Sequence, residues 1–316
     1  MPRIALDEIA FVGEGLERAE CVLTTAAGEI FCSDHGCGVI ELGRPKLPLH
    51  RKPPGLTVNG FALLRTREFL VANIDPASGS GVWKIDRERN VTPWLLRADG
   101  EDLPVTNAVC IDGLDRVWIS VSTRHLPRES AFRPGEGDGF IVLSDGAGAR
   151  IVADGVGFTN EARVDPSGQW LYVNETFARR LSRFPIRPTG LGPKQVICGF
   201  DDGDFPDGVA FDALGHAWVS CVVSNRIIRV APDGSKETIV DAADAAIVEA
   251  AERRFRAHLM GRSDVDSGAR CVLGNSSSVA FGGPDLTQVY VGSLGNNRLA
   301  TFRSPVAGAP PPHWRF

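Results

Sequence analysis

Asn107-Ala108-Val109-Cys110-Ile111-Asp112-Gly113-Leu114-Asp115-Arg116-Val117-Trp118-Ile119-Ser120 reads as two short β-strands closed by a turn. Ala108–Ile111 and Val117–Ser120 are β-prone runs, and the Asp- and Gly-containing segment between them is turn chemistry. A polar residue, Asn107, opens the unit 11 positions ahead of an aromatic anchor, Trp118. The unit recurs. Glu20 precedes Phe31, Asn59 precedes Leu70, Asn160 precedes Tyr172, Asp207 precedes Trp218 and Ser278 precedes Tyr290, each by 11 or 12 residues. A repeat of this kind decides architecture before any other feature does.

Further strands follow the anchors. Gly81–Ile85, Arg179–Phe184, Asn225–Val230 and Asn297–Phe302 read as third strands, and Ala149–Val152 and Thr238–Val240 as fourth strands. Four antiparallel strands per repeat and six repeats predict an all-β fold, a six-bladed β-propeller forming one domain over residues 1–316. Anchor-to-anchor spacings of 39, 48, 54, 46 and 72 residues point to local insertions, not to another fold. The last repeat lacks a fourth strand of its own. Residues 3–12 are expected to supply it and close the ring, which removes an exposed sheet edge.

Strand alternation places the polar residues at one mouth of the central channel, where each first strand begins. The loops from second to third strand and from blade to blade open on that face. Three insertions fall there: Ile74–Ser80, Ser122–Asp138 and the segment 241–275 between blades five and six. Within the last, 243–260 reads as an amphipathic helix with Ile247, Ala250, Ala251, Phe255 and Leu259 on one stripe. These insertions either overhang the ring as a lid or decorate the surface.

A net charge of −5 with interspersed signs gives no surface for nucleic acid or an anionic membrane, so neither partner is expected. The N-terminal residues show no signal-peptide core, and no run is long enough to span a membrane. Seven cysteines form no CxxC pair. Their odd number favours free thiols and a cytoplasmic location, with a Cys32–Cys37 bridge left open.

Six oxygen-bearing side chains at one axis, two of them carboxylates and three of them amides, are the chemistry of a hard cation. Such a donor set suits Ca2+ first, with Mg2+, Mn2+ or Zn2+ as alternatives. Few protein ligands leave positions free for water and substrate.

Four segments resemble one known family, the SMP-30/gluconolactonase/LRE-like lactone hydrolases. Residues 158–173 are similar to its S-N-G-L-A-x-S-P-D-G-x-x-L-Y-V, and 206–212 to its P-D-G-L-A-x-D. Ser278–Leu286 repeats its S-V-A-F-G-G-P-D-L, and Asn107 with Asp112, Arg116 and Trp118 keeps the spacing of a fourth motif. The resemblance implies a single divalent cation held by Glu20, Asn160 and Asp207, and a substrate contact from Asn107. Glu14-Gly15 also resembles the family's opening motif, but Glu20 alone keeps the repeat spacing to its anchor. Asn59 and Ser278 complete the ring as substrate or water contacts or as structural residues.

The implied reaction is metal-assisted opening of a lactone or similar cyclic ester, the cation polarising the carbonyl and acidifying the attacking water. Asp207 is the first candidate for proton transfer, with another carboxylate left open. Three departures stand out. The opening motif has become Glu20-Cys21-Val22-Leu23-Thr24; Val105 stands where sugar-lactone members carry an arginine; and Glu161 replaces a glycine after Asn160. Losing that arginine disfavours a polyhydroxy sugar lactone, or requires Arg124, Arg163 or His125 to substitute. Glu161 reads as an added ligand, base or substrate contact, or as a solvated charge at the rim. Two other classes stay open: a non-catalytic metal- or ligand-binding propeller, and a non-hydrolytic enzyme on the same scaffold.

Overall fold

β-Branched and aromatic runs punctuated by Gly and Asp turns fold each repeat into an antiparallel meander, and six meanders close into a ring. The computed structural model describes residues 1–75, 79–135 and 137–316. Blade one has three strands, Val22–Thr24, Ile30–Asp34 and Gly38–Glu41. Blade two comprises Val58–Leu63, Phe69–Asn73, Gly81–Ile85 and Val91–Leu95. Blade three runs Thr106–Ile111, Val117–Val121, Gly139–Asp145 and Gly148–Val156. Blade four is built from Thr159–Val164, Trp170–Glu175, Arg180–Arg187 and Gln195–Gly199. Asp204–Phe211, Ala217–Val223, Arg226–Val230 and Lys236–Asp241 make blade five. Ser276–Gly282, Gln288–Ser293 and Leu299–Arg303 make blade six, and Ala10–Val12 completes it.

That last pairing sets Ala10 against Thr301 and Val12 against Leu299. The N-terminus therefore covers the edge that the last repeat leaves open, as its missing fourth strand requires. Apolar side chains from adjacent blades fill the spaces between sheets, with Trp118 and Trp218 fully enclosed. Both indoles are held by the turn acid six residues upstream. Asp112 Oδ2 accepts from Trp118 Nε1 at 3.0 Å, and Asp212 Oδ2 from Trp218 Nε1 at 3.1 Å. Asp212 also accepts from Arg229 Nε at 2.7 Å and from the backbone N–H groups of Leu214 and His216.

Helix α1 spans Ala245–Arg256, shorter than the expected 243–260. Asp244 stops it at one end, its carboxylate accepting from Ala246 and Ile247 N–H. His258, at φ 58°, adopts the left-handed conformation that ends helices. Leu259 consequently leaves the stripe and is 61% exposed, while Met260 is buried. Helix α2, Arg262–Asp266, follows.

The insertion at 122–138 and the one at 241–275 are fused through aromatic packing. Phe132 stacks on Phe177 at 4.4 Å, Phe158 meets Phe177 edge-on at 4.7 Å, and Phe205 meets Phe255 at 5.0 Å. Met260 and Val265 join the same cluster. A buried amide clasp fixes its far end: Val223 N–H and Asn275 N–H donate to Asn275 Oδ1 and Asn225 Oδ1, both at 2.6 Å, and Asn275 Nδ2 donates to the Val265 carbonyl. Through these contacts the described residues of the two insertions pack against each other as one wall. Residues 76–78 of the first insertion and Glu136 of the second lie outside the described residues.

The C-terminal segment runs across the other mouth of the channel. Ala309 N–H donates to the Phe211 carbonyl at 2.9 Å and Ala26 N–H to the Trp314 carbonyl at 2.7 Å. Cavity space of about 330 Å3 lies between this segment and the ends of the first strands. All seven cysteines are free, Cys32 and Cys37 included. No helix among the described residues is long and apolar enough to cross a membrane.

Asp212→Ala should cost about 3 kcal/mol of unfolding free energy in urea titration, because it strands the Trp218 N–H and leaves the buried Arg229 only its half-exposed partner Glu237. Asp212→Asn, which keeps an acceptor, should recover part of that loss.

Candidate metal and substrate site

The residues at the channel axis sit at irregularities in their own strands. In blades two to six the ladder between first and second strand shifts at Val58/Phe61, Thr106/Ala108, Thr159/Ala162, Pro206/Val209 and Ser276/Ser278. A bulge of this kind re-aims the extra residue out of the alternating pattern. Asn59, Asn107, Asn160 and Asp207 occupy those bulges. Glu20 stands in the same register, three positions before Leu23, the residue paired with Phe31.

Register corrects the sixth member. In every other blade the ring residue lies three positions before the partner of the anchor; Trp118 pairs with Cys110 and Trp218 with Ala210. In blade six Tyr290 pairs with Ala280, which puts Ser277, not Ser278, at the ring position. The hairpin turn of that blade is longer, so counting back from the anchor stopped one residue short. Ser277 Oγ donates to the Glu20 carbonyl at 2.9 Å, while Ser278 Oγ accepts from Val22 N–H at 3.3 Å.

Glu161 has the same relation to its neighbour as Ser278. Its Oε2 accepts from Val209 N–H, 2.9 Å away in the next blade, and its Oε1 from Arg163 Nη2 at 3.1 Å and Cys21 Sγ at 3.5 Å. Glu161 is therefore a buried tie between blades and not a solvated rim charge. Arg163 is committed to it. Arg124 gives its guanidinium to Asp154, Glu101 and the Asp138 carbonyl, and it meets none of the ring residues. His125 is half-exposed beside Asp138. Glu14 is exposed, whereas Glu20 is buried.

The ring atoms are oriented from behind. Thr176 Oγ1 donates to the Pro206 carbonyl at 2.8 Å and so can only accept from Asn160, whose Nδ2 lies at 3.0 Å. This fixes the amide and leaves the buried Asn160 Oδ1 without a partner. Asn174 Nδ2 donates to the carbonyls of Asp207 and Gly208 at 2.9 and 3.0 Å, holding that bulge in place. Gly208 is required there: a Cβ would fall 2.5 Å from the Ser277 carbonyl oxygen. Asn59 Nδ2 donates to both the backbone carbonyl and Oδ1 of Asn107, and Asn59 Oδ1 is unpaired.

Glu20, Asn160 and Asp207 are 7%, 6% and 5% exposed. Burial, then the charges of Glu20 and Glu161, pushes the Asp207 carboxyl well above its ordinary range. Burial also works against Glu20, but Arg18, Arg262, Arg128 and His35 outweigh it and hold that carboxyl below its ordinary value. Arg18 is the direct partner, with Nε and Nη2 each 2.9 Å from Glu20 Oε2. Its backbone is left-handed at φ 57°, and Glu20 N–H donates to the Arg18 carbonyl at 2.8 Å. Sequence reasoning missed these arginines because they come from loops and insertions that carry no period.

Two buried carboxylates and a buried, unpaired amide oxygen, carried at equivalent positions of three blades, are a donor set that a hard divalent cation fits. Among the described residues no group of three or more His, Cys, Asp or Glu side chains is arranged for a metal, so a cation here depends on the amide. None of the ring residues lines the 330 Å3 cavity at the opposite mouth.

The fold and ring define a six-bladed propeller with an oxygen-lined channel mouth. The chain belongs to the SMP-30/Gluconolactonase/LRE-like region family, whose model matches residues 25–249. It is 28% identical over 155 residues to a 6-deoxy-6-sulfogluconolactonase of Pseudomonas putida, a match covering 48% of this chain and 43% of that protein. It is 24% identical over 194 residues to a pentonolactonase of Haloferax volcanii, covering 60% of this chain and 54% of that one. The chain thus spans about half the length of these relatives. The structure is similar to that of a calcium-binding protein, regucalcin, from Agrobacterium tumefaciens, with a TM-score of 0.69, 20% identity, and coverage of 97% and 98%.

The raised Asp207 value means that the folded, metal-free chain holds this proton more tightly than the unfolded chain does. Its contribution is therefore favourable at acid pH and turns unfavourable as pH rises above the ordinary carboxylate range. Asp207→Asn should raise the Tm of the metal-free protein at neutral pH by roughly 2–4 °C.

Proposed function

We propose that this protein opens a lactone or similar cyclic ester with water, using one divalent cation held by Glu20, Asn160 and Asp207. The observation that carries the reading is a pair of buried carboxylates, Glu20 and Asp207, whose charges oppose each other, with an unpartnered buried amide oxygen, Asn160 Oδ1, at the equivalent bulge of the blade next to Asp207. A bound cation would supply Lewis acidity toward an ester carbonyl and lower the pKa of water nearby. Calcium is favoured by an all-oxygen donor set, with Mg2+, Mn2+ and Zn2+ as competitors. The names of the two relatives, both lactonases, support the reaction class, and the calcium-binding neighbour supports the ion.

The residues divide the remaining work. Asp207, both a ligand of that cation and a neighbour of its water, is suited to take a proton from the attacking water. Asn107 and Asn59 are coupled by their hydrogen bonds, so one polar edge of the site orients a substrate or water as a unit. Glu161 contributes by fixing the first strands of blades four and five relative to each other. The Arg18–Glu20 pair supports a second reading, a ligand-binding propeller without turnover, since Arg18 already satisfies one oxygen of Glu20.

Metal content and proton release on a panel of γ- and δ-lactones, measured together, separate the two. The hydrolase reading expects one cation per chain, loss of turnover on chelation and its return on reloading. Asp207→Ala and Glu20→Gln should each lower kcat/KM by roughly 100-fold or more with unchanged circular dichroism, and both should lose the cation. Tight metal binding without turnover of any lactone would favour the binder, and turnover that survives chelation would sink the metal-dependent mechanism.

A further inference from the structure

At the mouth opposite the ring, the C-terminal segment makes a roof over the ends of the first strands. Both of its sides are pinned. Gly308 N–H donates to the Leu286 carbonyl at 2.8 Å and Ala309 N–H to that of Phe211. On the other side the Trp314 carbonyl accepts from Ala26 N–H, and the Phe316 carbonyl from Arg67 Nη1 at 3.0 Å. Between the pins stand Pro310, Pro311 and Pro312, which have no N–H to bond downward and whose φ is fixed by their rings. The roof is stiff, and about 330 Å3 of cavity lies beneath it. That volume falls at the lower end of the roughly 300–1,000 Å3 of small-molecule pockets.

Most of the lining is apolar, with Val209, Phe211, Val279 and Phe281 below and the prolines above. The side toward the ring is polar but self-contained. Arg163 is bonded to Glu161, whose other oxygen accepts from Val209 N–H, so this pair brings no net charge. Ser167 and Gly168 of the blade-four turn edge the cavity and are exposed, which gives a small molecule access.

A polar group facing this space is left unsatisfied. His313 is 7% exposed and lines the cavity, and its Nε2 has no partner among the described residues. Burial and the Arg163 charge hold the imidazole down at about 3, so the ring is neutral, with one N–H and one lone pair. Its hydrogen bond to the Thr24 backbone favours the N–H and uses it. Nε2 is therefore a buried acceptor, a state that costs free energy until a donor reaches it.

We propose that this cavity is a second small-molecule site, taking an uncharged, mainly apolar ligand whose hydroxyl donates to His313 Nε2, a phenol being the simplest case. An ionised ligand would lose its water without gaining an unpaired counter-charge, since Arg163 is already engaged. A flat ring suits the faces that proline, phenylalanine and imidazole present. The site is separate from the ring: four residues of extended strand, roughly 13 Å, run from Asn160 to Val164 at the cavity wall.

The test titrates 4-methylphenol and 4-methylanisole, which keeps the aromatic ring but has no donor, into the full chain by calorimetry. The phenol should bind roughly 3- to 10-fold more tightly, the size of one neutral hydrogen bond. His313→Phe keeps a ring under the roof without the acceptor and should bring the two affinities together. His313→Gln, which restores an acceptor, should recover part of the difference. Val164→Phe adds bulk at the partly exposed edge of the cavity and should weaken both probes alike. By nitrogen NMR, the His313 Nε2 resonance should move with the phenol and not with the ether.

No binding of the phenol, equal affinities for the two probes, a preference that survives His313→Phe, or an unmoved Nε2 resonance overturns the proposal and assigns the cavity to water. Should His313→Phe fail to fold, the glutamine variant and the resonance decide. Glu20→Gln, at the opposite mouth, should leave both affinities where they were. Loss of this site leaves the hydrolase reading standing, because neither rests on the other.

Discussion

Six first strands packed side by side around one axis leave almost no room between them, and that crowding governs the molecule. Gly208 and Gly60 stand where a Cβ would fall 2.5 and 2.7 Å from the backbone of the adjacent first strand. The first strands of blades two to six relieve the crowding with a bulge just where they reach the channel. The bulged side chains are thereby aimed at a shared volume. Polar groups collected in that volume cannot pair with their own ladders, so they must be satisfied across blades or by something that enters. Serine hydroxyls and the Asn174 and Thr176 side chains satisfy most of the backbone. Among the described residues, Asn160 Oδ1 and Asn59 Oδ1 are two of the ring atoms left without a partner, and the Asp207 charge is opposed by its surroundings.

The fold was legible because strand period and turn chemistry repeat six times, and because closure by the N-terminus follows from one missing strand. The ring was legible because a bulge occupies the same place in each repeat. Ser277 escaped detection since one extra turn residue shifts the count in blade six without altering the pairing. Helix α1 was found, but its ends depend on an Asp244 cap and a left-handed His258 that periodicity does not register. Glu161 could not be assigned from the chain alone, because its partners lie in blades one and five. Arg18, Arg128 and Arg262 were beyond reach for the same reason: only packing of the insertions brings them together.

Stability and chemistry pull in opposite directions at this mouth. The aromatic cluster and the Asn225–Asn275 clasp are stabilising devices placed around a region that is electrostatically unfavourable when metal-free. Rigid surroundings are what allow a buried acid with raised proton affinity to persist beside two others. The arginines temper the repulsion without removing it, since Arg18 engages one oxygen of Glu20 and Asp207 remains shifted.

The C-terminal segment across the far end adds a directional consequence. His313 is buried there, its imidazole pushed down to about 3 by burial and by Arg163, so it stays neutral and offers no counter-charge. A tube crossed at one end by prolines and a neutral ring is a blind well, and the ring of Glu20, Asn160 and Asp207 stands at its other end.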